Sequence, residues 1–330
     1  MSVPLFYFHN NMQQISIINY SAYLKWWTCL HDDDGSINKE IKRELQPIID
    51  DINTFQPEVP IRGDYFKFYF HFNEDEEILN VSTSVNPYLI YSQDVVEQGR
   101  FVEWLDSTIV GRLKDLCFLL NLAYPSEFHI LKSCIYRDDK QIIKDFYFAS
   151  DALLIDDKYE WPAIEWLPVA RCWEWLVTKT RFLEDTSHSP IDVALHSLSY
   201  VSTANDDTFI FYALLGLEAL YNEASNREDS ILEQLRFKTK AVLGDYPRSK
   251  EKIIKKAISD MYRKRSMLFH GSSTIKKCWF SFDSPDEDFE YFIESRNPIY
   301  FATILLVATI QKMIQTDTVK IIEEKHIRLE

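Results

Sequence analysis

The sequence predicts an α+β N-terminal domain followed by an all-α helical bundle, and three observations carry that reading. Aromatic and polar residues alternate between Asp64 and Phe72, a strand signal, and strand-like runs recur as far as residue 155. From Ser189 onward the apolar residues repeat at helical spacing, between residues that start and stop helices. At 330 residues the chain suits about two domains rather than one minimal core. The division is residues 1–157, an α+β domain; 158–188, a Trp-rich helical joint; and 189–330, the helical domain.

The first 60 residues carry few signals. Tyr20 to Leu30 is apolar and aromatic, and Ser36 caps a candidate helix running to about Phe55, which Pro47 kinks or shortens. Strands are expected over Tyr65–Phe72, Ile78–Val85 and Tyr88–Ser92, with the acidic Glu74–Glu77 turn between the first two. A long helix follows from Asp94 to Leu122, with Val95, Val102, Leu105, Ile109, Leu113, Leu116 and Leu120 near helical spacing and Pro125 as its stop. Phe128–Tyr136 and Ile142–Ile155 resume strand character.

The joint holds Trp161, Trp166, Trp173 and Trp175, and Glu165–Leu183 has helical period. These rings lie beside Leu167, Val169 and Leu176, so packing against the next helix is their commoner use; stacking on bases is the other. Beyond it, Pro190 stands at the favoured first position of a helix over Ile191–Tyr200. Asp206 and Asp207 precede a second over Phe209–Glu223, as acidic residues suit a helix N-terminus. Ile231–Leu243 is a third, closed by Gly244 and Pro247, and Ser249–Phe269 a fourth, closed by Gly271. Ile299–Ile314 is a fifth, after an acidic, aromatic stretch from Cys278 to Glu294 read as a surface loop or short helix. This succession of helices is read as an antiparallel bundle.

Composition excludes several classes. Five cysteines (Cys29, Cys117, Cys134, Cys172, Cys278) are odd in number, scattered and without a C-x-x-C pair, as in a reduced cytoplasmic protein. Neither Cys nor His shows ligand spacing, so no metal and no cofactor is expected. No signal peptide is evident, and the apolar stretch Pro298–Ile310 is too short to span a bilayer, so no membrane partner is expected.

The net charge of −15 argues against a nucleic-acid partner until it is mapped. Residues 227–277 carry 14 Lys+Arg against 6 Asp+Glu, while the rest of the chain carries 22 against 45. An acidic body with one basic region focuses an anionic ligand on that region. Within it, Lys256, Arg263, Lys264 and Lys276 are the candidate RNA-binding cations. The other reading is a solvated helix face.

The basic region surrounds Tyr262-Arg263-Lys264-Arg265-Ser266-Met267-Leu268-Phe269-His270-Gly271. An arginine holds phosphate in a fork of fixed donors, and a histidine moves protons near neutrality. Ile254, Ile258, Met261, Arg265 and Leu268 share one stripe, so Arg265 sits where an apolar residue is expected. Glu218, in Leu214-Leu215-Gly216-Leu217-Glu218-Ala219-Leu220, is likewise a carboxylate among apolar neighbours. Either Glu218 orients Arg265, or each snorkels to the surface. His270 comes five residues after Arg265, some 140° away around an ideal helix. Either the backbone turns His270 inward at the helix end, or two copies of the chain assemble the site.

Arg265 to Gly271, preceded by Tyr262, resembles the R-x4–6-H signature of HEPN domains, and most of all the ApeA-like branch with its pattern Y-x-x-R-S-x-x-x-H-G. The likeness extends to Ala213–Leu220, similar to the family's acidic helix, and to the basic helix Leu235–Leu243. It spans about residues 185–325 and leaves the first 160 uncovered. It implies an HEPN-like bundle over 189–330 that forms a homodimer with two R-x4-H motifs facing one cleft. It also implies a metal-independent endoribonuclease of the toxin or antiphage-defence kind. By resemblance, Arg265 binds the scissile phosphate, His270 transfers protons, and Ser266 stands where other branches often have Asn. The ribose 2′-OH is then the nucleophile, giving 2′,3′-cyclic phosphate and 5′-OH ends. Residues 1–157 would sense a phage-derived or regulatory trigger. The alternative is a non-catalytic HEPN module that binds RNA, a nucleotide or a protein partner.

Overall fold

The structure is a computed structural model describing residues 19–28, 66–72, 78–85, 117–125, 128–137, 140–143, 159–182, 189–203, 209–221, 231–270 and 285–321, with isolated positions at 43, 111, 114 and 115. For the strands, for residues 285–297 and for several helix positions, Ile231, Leu268 and Ile299 among them, the backbone alone is described.

Five strands, β1 (Asn19–Thr28), β2 (Phe66–Phe72), β3 (Ile78–Val85), β4 (Phe128–Arg137) and β5 (Lys140–Ile143), pair antiparallel in the order β2-β3-β1-β4-β5. Tyr23 stands opposite Asn80 on one side and Cys134 on the other, so the first strand in sequence is central. A bulge between Lys25 and Trp26 shifts the β1–β4 register. The expected helix from Ser36, the expected strand Tyr88–Ser92 and most of Ile142–Ile155 lie outside the described residues. With them lies most of the expected α+β domain.

The remaining described elements form a helical bundle. They are α1 (residues 117–123), α2 (Val169–Lys179), α3 (Pro190–Thr203), α4 (Phe209–Tyr221), α5 (Ile231–Leu243), α6 (Glu251–Phe269) and α7 (Pro285–Thr316). Among them no helix is long and apolar enough to cross a membrane.

Local chemistry explains most of the boundaries. Ser189 Oγ accepts the Asp192 N–H at 3.2 Å and donates to the Asp192 carboxylate, a reciprocal cap at the start of α3. The same carboxylate accepts the Arg181 N–H at 2.8 Å, tying α2's exit to α3. Gly244 ends α5 at φ +90°, where its N–H reaches Lys240 O at 2.9 Å; a side chain there would be strained.

Two expectations are corrected. The helix expected over Glu165–Leu183 begins only at Val169. Pro168 disfavours helical backbone at Leu167, and the N–H groups of Glu165 and Leu167 bond to Gln311 Oε1 and Ala123 O instead. The last helix begins at Pro285, so most of the stretch read as a loop or short helix is helical. Pro285 sits at a favoured first position, the acidic Asp286, Glu287 and Asp288 suit the positive helix end, and α7 runs through Pro298.

The core is built around α4 and the inner half of α7. Phe301, Ala302, Leu305, Leu306 and Ile310 of α7 are fully buried, as are Ile210, Ala213, Leu214 and Leu217 of α4. Burying a side chain the size of Phe301 stabilises the fold by roughly 1.5–3 kcal/mol. The two helices approach closely at Gly216: a Cβ there would lie 2.8 Å from Leu306 Cδ2 and 3.2 Å from Ser197 Cβ. Gln311 bridges α7 to the joint, donating to Leu122 O at 2.9 Å and to Glu165 O at 2.8 Å. Trp161, Trp173 and Trp175 pack into this core, Trp161 edge-on to Tyr246 with its indole N–H on Gly244 O; Trp166 is exposed.

Candidate functional site

The site grows from α4 and α6. On α6, Ile254, Ile258 and Met261 are buried along one stripe, and Arg265 continues it where the helix leaves the core. On α4, Leu214 and Leu217 are buried, and Glu218 follows at the edge of the same interface. The two half-buried charges meet: Arg265 Nη2 donates to Glu218 Oε2 at 3.4 Å. Of the two readings of these residues, pairing is the observed one. Among the described residues, this is the guanidinium's one ion pair, so the rest of its fork is open to an anion.

Tyr262, one turn before Arg265, completes the cluster by donating its hydroxyl to Glu218 Oε1 at 3.4 Å. Burial, and then the Glu218 charge, push the Tyr262 hydroxyl above its ordinary pKa, while Arg265 opposes them. Tyr262 therefore stays protonated and serves as a donor. Sequence reading took it only as part of the motif; its position three residues before Arg265, on the same face, was the available signal.

His270 lies elsewhere. Its N–H bonds to Ser266 O at 3.0 Å, so the helical ladder continues through it, and the side chain is exposed. The backbone does not turn it inward, and among the described residues no hydrogen bond or ion pair joins it to Arg265 or Glu218. In an ideal helix Lys252, Lys256, Arg263 and His270 fall within about 40° of one another, and all four are exposed. The outward face of α6 thus carries the histidine and a basic stripe, while Arg265 lies on the core side.

The other expected residues divide accordingly. Lys256 is exposed on the outward face. Arg263 is exposed there too, paired with Asp260 at 3.0 Å. Lys264 is half-buried, Ser266 is exposed with its carbonyl used by His270, and Lys276 lies outside the described residues. By helix spacing, Leu215, Phe211 and the exposed Phe269 stand beside the Glu218–Arg265 pair, an apolar rim that the sequence alone does not single out. Cys117 and Cys172 are buried and outside any disulfide, distant in sequence from these residues; burial, then the Asp115 charge, raises the Cys117 thiol. Among the described residues no group of three or more His, Cys, Asp or Glu side chains lies together to hold a metal ion.

The arrangement can hold an anion at the open guanidinium fork and present an imidazole on a separate, basic face. No family model matches the chain, and neither a curated protein nor a solved structure matches it.

Proposed function

We propose that the chain is a metal-independent endoribonuclease of HEPN type, a toxin-like or antiphage effector acting on RNA in the cytoplasm. The observation that supports this most is Arg265 itself. It is a guanidinium on an otherwise apolar stripe, held at one nitrogen by Glu218 and open at the others. Such a group stabilises the charge that develops on a phosphate under attack.

In the proposed reaction the ribose 2′-OH loses its proton to a base as O2′ bonds to phosphorus. The P–O5′ bond breaks, and the leaving O5′ takes a proton from an acid. The products are a 2′,3′-cyclic phosphate and a 5′-OH end, with no water or metal consumed. His270 is the proton carrier and Arg265 the phosphate ligand. Because one chain sets them about 140° apart, the working cleft takes residues from two copies in a homodimer. Ser266 lines the approach, Lys256, Arg263, Lys264 and Lys276 draw in the strand, and residues 1–157 gate the activity in response to a trigger.

The separation of His270 from Arg265 within one chain also favours a second reading, a non-catalytic module that binds RNA, a nucleotide or a protein partner. Incubating purified protein with total RNA in EDTA, beside Arg265→Ala and His270→Ala, separates the two. The nuclease reading expects cleavage with cyclic-phosphate ends, lost in both variants. Cleavage that EDTA abolishes, or that His270→Ala leaves untouched, overturns it.

A further inference from the structure

We infer that Phe269, backed by Phe211, is a stacking subsite for an unpaired nucleobase next to the phosphate that Arg265 binds; this rests on the ribonuclease reading and deepens it. Phe269 is the last residue of α6 and is 72% exposed, the most exposed of the described large apolar side chains. An isolated exposed apolar side chain needs no explanation, but this ring is not isolated. It makes a T-shaped contact with Phe211 of α4, ring centroids 6.4 Å apart, and another with the His270 ring, 5.8 Å away. Phe211 is itself half-buried against the core, so the exposed ring is braced from below and from the side. A braced aromatic ring loses less entropy than a free one when something flat is laid on it.

Position identifies the occupant. Phe269 lies four residues beyond Arg265, about 6 Å along the helix and some 40° around it, on the side of the Glu218–Arg265 pair. That separation is comparable to the reach from a phosphate across its ribose to its base. Leu215, half exposed, follows Phe211 by one turn of α4 and precedes Glu218 by three residues, so it continues the apolar rim beside the pair. The surrounding segment, residues 227–277, is net basic within an acidic chain, which complements a polyanion. An aromatic face beside a guanidinium on basic ground is how single strands are held without reading their sequence. The subsite therefore takes any base of a single-stranded RNA and sets the register of the scissile phosphate.

The test uses the full chain with His270 in place and a fluorescein-labelled 12-nucleotide single-stranded RNA whose 2′-O-methyl riboses lack the attacking hydroxyl, which prevents turnover, followed by anisotropy. Phe269→Leu keeps an apolar side chain but removes the π-face, and should weaken binding by roughly 5- to 100-fold. Phe269→Trp should retain it within about threefold. The same oligonucleotide with abasic central positions should bind Phe269 and Phe269→Leu proteins equally weakly. A thermal melt shows that each variant folds. Equal affinity of Phe269→Leu for the intact strand, an equal loss on the abasic strand, or no RNA binding at all overturns the subsite. So does dissociation of a dimer by Phe269→Leu in sedimentation, which assigns the ring to packing against a second copy. Cleavage of the same strand with free 2′-OH groups is scored separately, so a stacking subsite without cleavage refutes the nuclease reading alone. Cleavage without Phe269-dependent binding refutes the subsite alone.

Discussion

Two polar clusters of the bundle use similar groups in opposite ways. At the joint, Gln311 is buried and spends its amide on three backbone partners around Leu122 and Glu165, at 2.8–3.3 Å. At the edge of α4 and α6, Glu218, Tyr262 and Arg265 are half-exposed, and both their contacts are 3.4 Å long. The first cluster closes its hydrogen-bonding capacity inside the protein. The second leaves a guanidinium fork open. A closed buried network contributes to stability because breaking it strands polar groups without water. An open, partly solvated one contributes little to stability and keeps its capacity for a ligand. The difference separates residues that hold the fold from residues that keep hydrogen-bonding capacity at the surface.

Substitutions should break that symmetry in order of size. The largest effect is expected from Arg265→Ala, which should lower RNA cleavage by about 10²–10³-fold, or roughly 3–4 kcal/mol of barrier, and leave the melting curve nearly unchanged. Gln311→Leu should do the reverse. It leaves the carbonyls of Leu122 and Glu165 and the Glu165 N–H unpaired, costing about 2–3 kcal/mol in urea titration, with cleavage per folded molecule unchanged. Equal effects of the two on stability would sink the distinction.

A smaller effect is expected in alkali. Burial raises the hydroxyls of Tyr221 and Tyr262 above the ordinary tyrosine range. Their contribution to stability is whole below about pH 10, where the unfolded chain keeps its phenol protons too. Above that pH the unfolded chain sheds protons that the fold retains, so stability falls by up to about 1.4 kcal/mol per pH unit for each group. Urea midpoints at about pH 9 and about pH 11 should show a shallower decline for Tyr262→Phe than for the wild type. The smallest effect is expected at Arg263, exposed and paired with Asp260 on its own helix. Arg263→Ala should cost under about 0.5 kcal/mol in stability and reduce the salt dependence of RNA binding by about one charge.

What the sequence revealed follows from how local each determinant is. Ile231–Leu243 was readable to the residue because Gly244 and the lysine-bearing last turn are neighbours in the chain. Glu218 and Arg265 were readable as a pair because each breaks an apolar stripe, and only another such break offers a partner. The start of α7 was hidden by Pro298, a residue that ends helices more often than it rides inside one. The late start of α2 was hidden because the N–H groups of Glu165 and Leu167 bond to Gln311 and Ala123, partners distant in sequence. The apolar rim at Phe211, Leu215 and Phe269 was hidden for a different reason: periodicity counts apolar residues without saying which of them the fold covers.

The missing methyl at Gly216 has a consequence for the chemistry two residues later. Any side chain there meets the Leu306 methyls in a fully buried contact, so either that leucine re-orients or α4 shifts on α7. Glu218 rides on the same turn of helix, and its contact with Arg265 is already at the limit of bonding distance. A displacement of about half an ångström would part them. The alignment of the guanidinium is thus calibrated from beneath, by how deeply one helix settles into another, and the charged edge of the bundle inherits the tolerances of its interior.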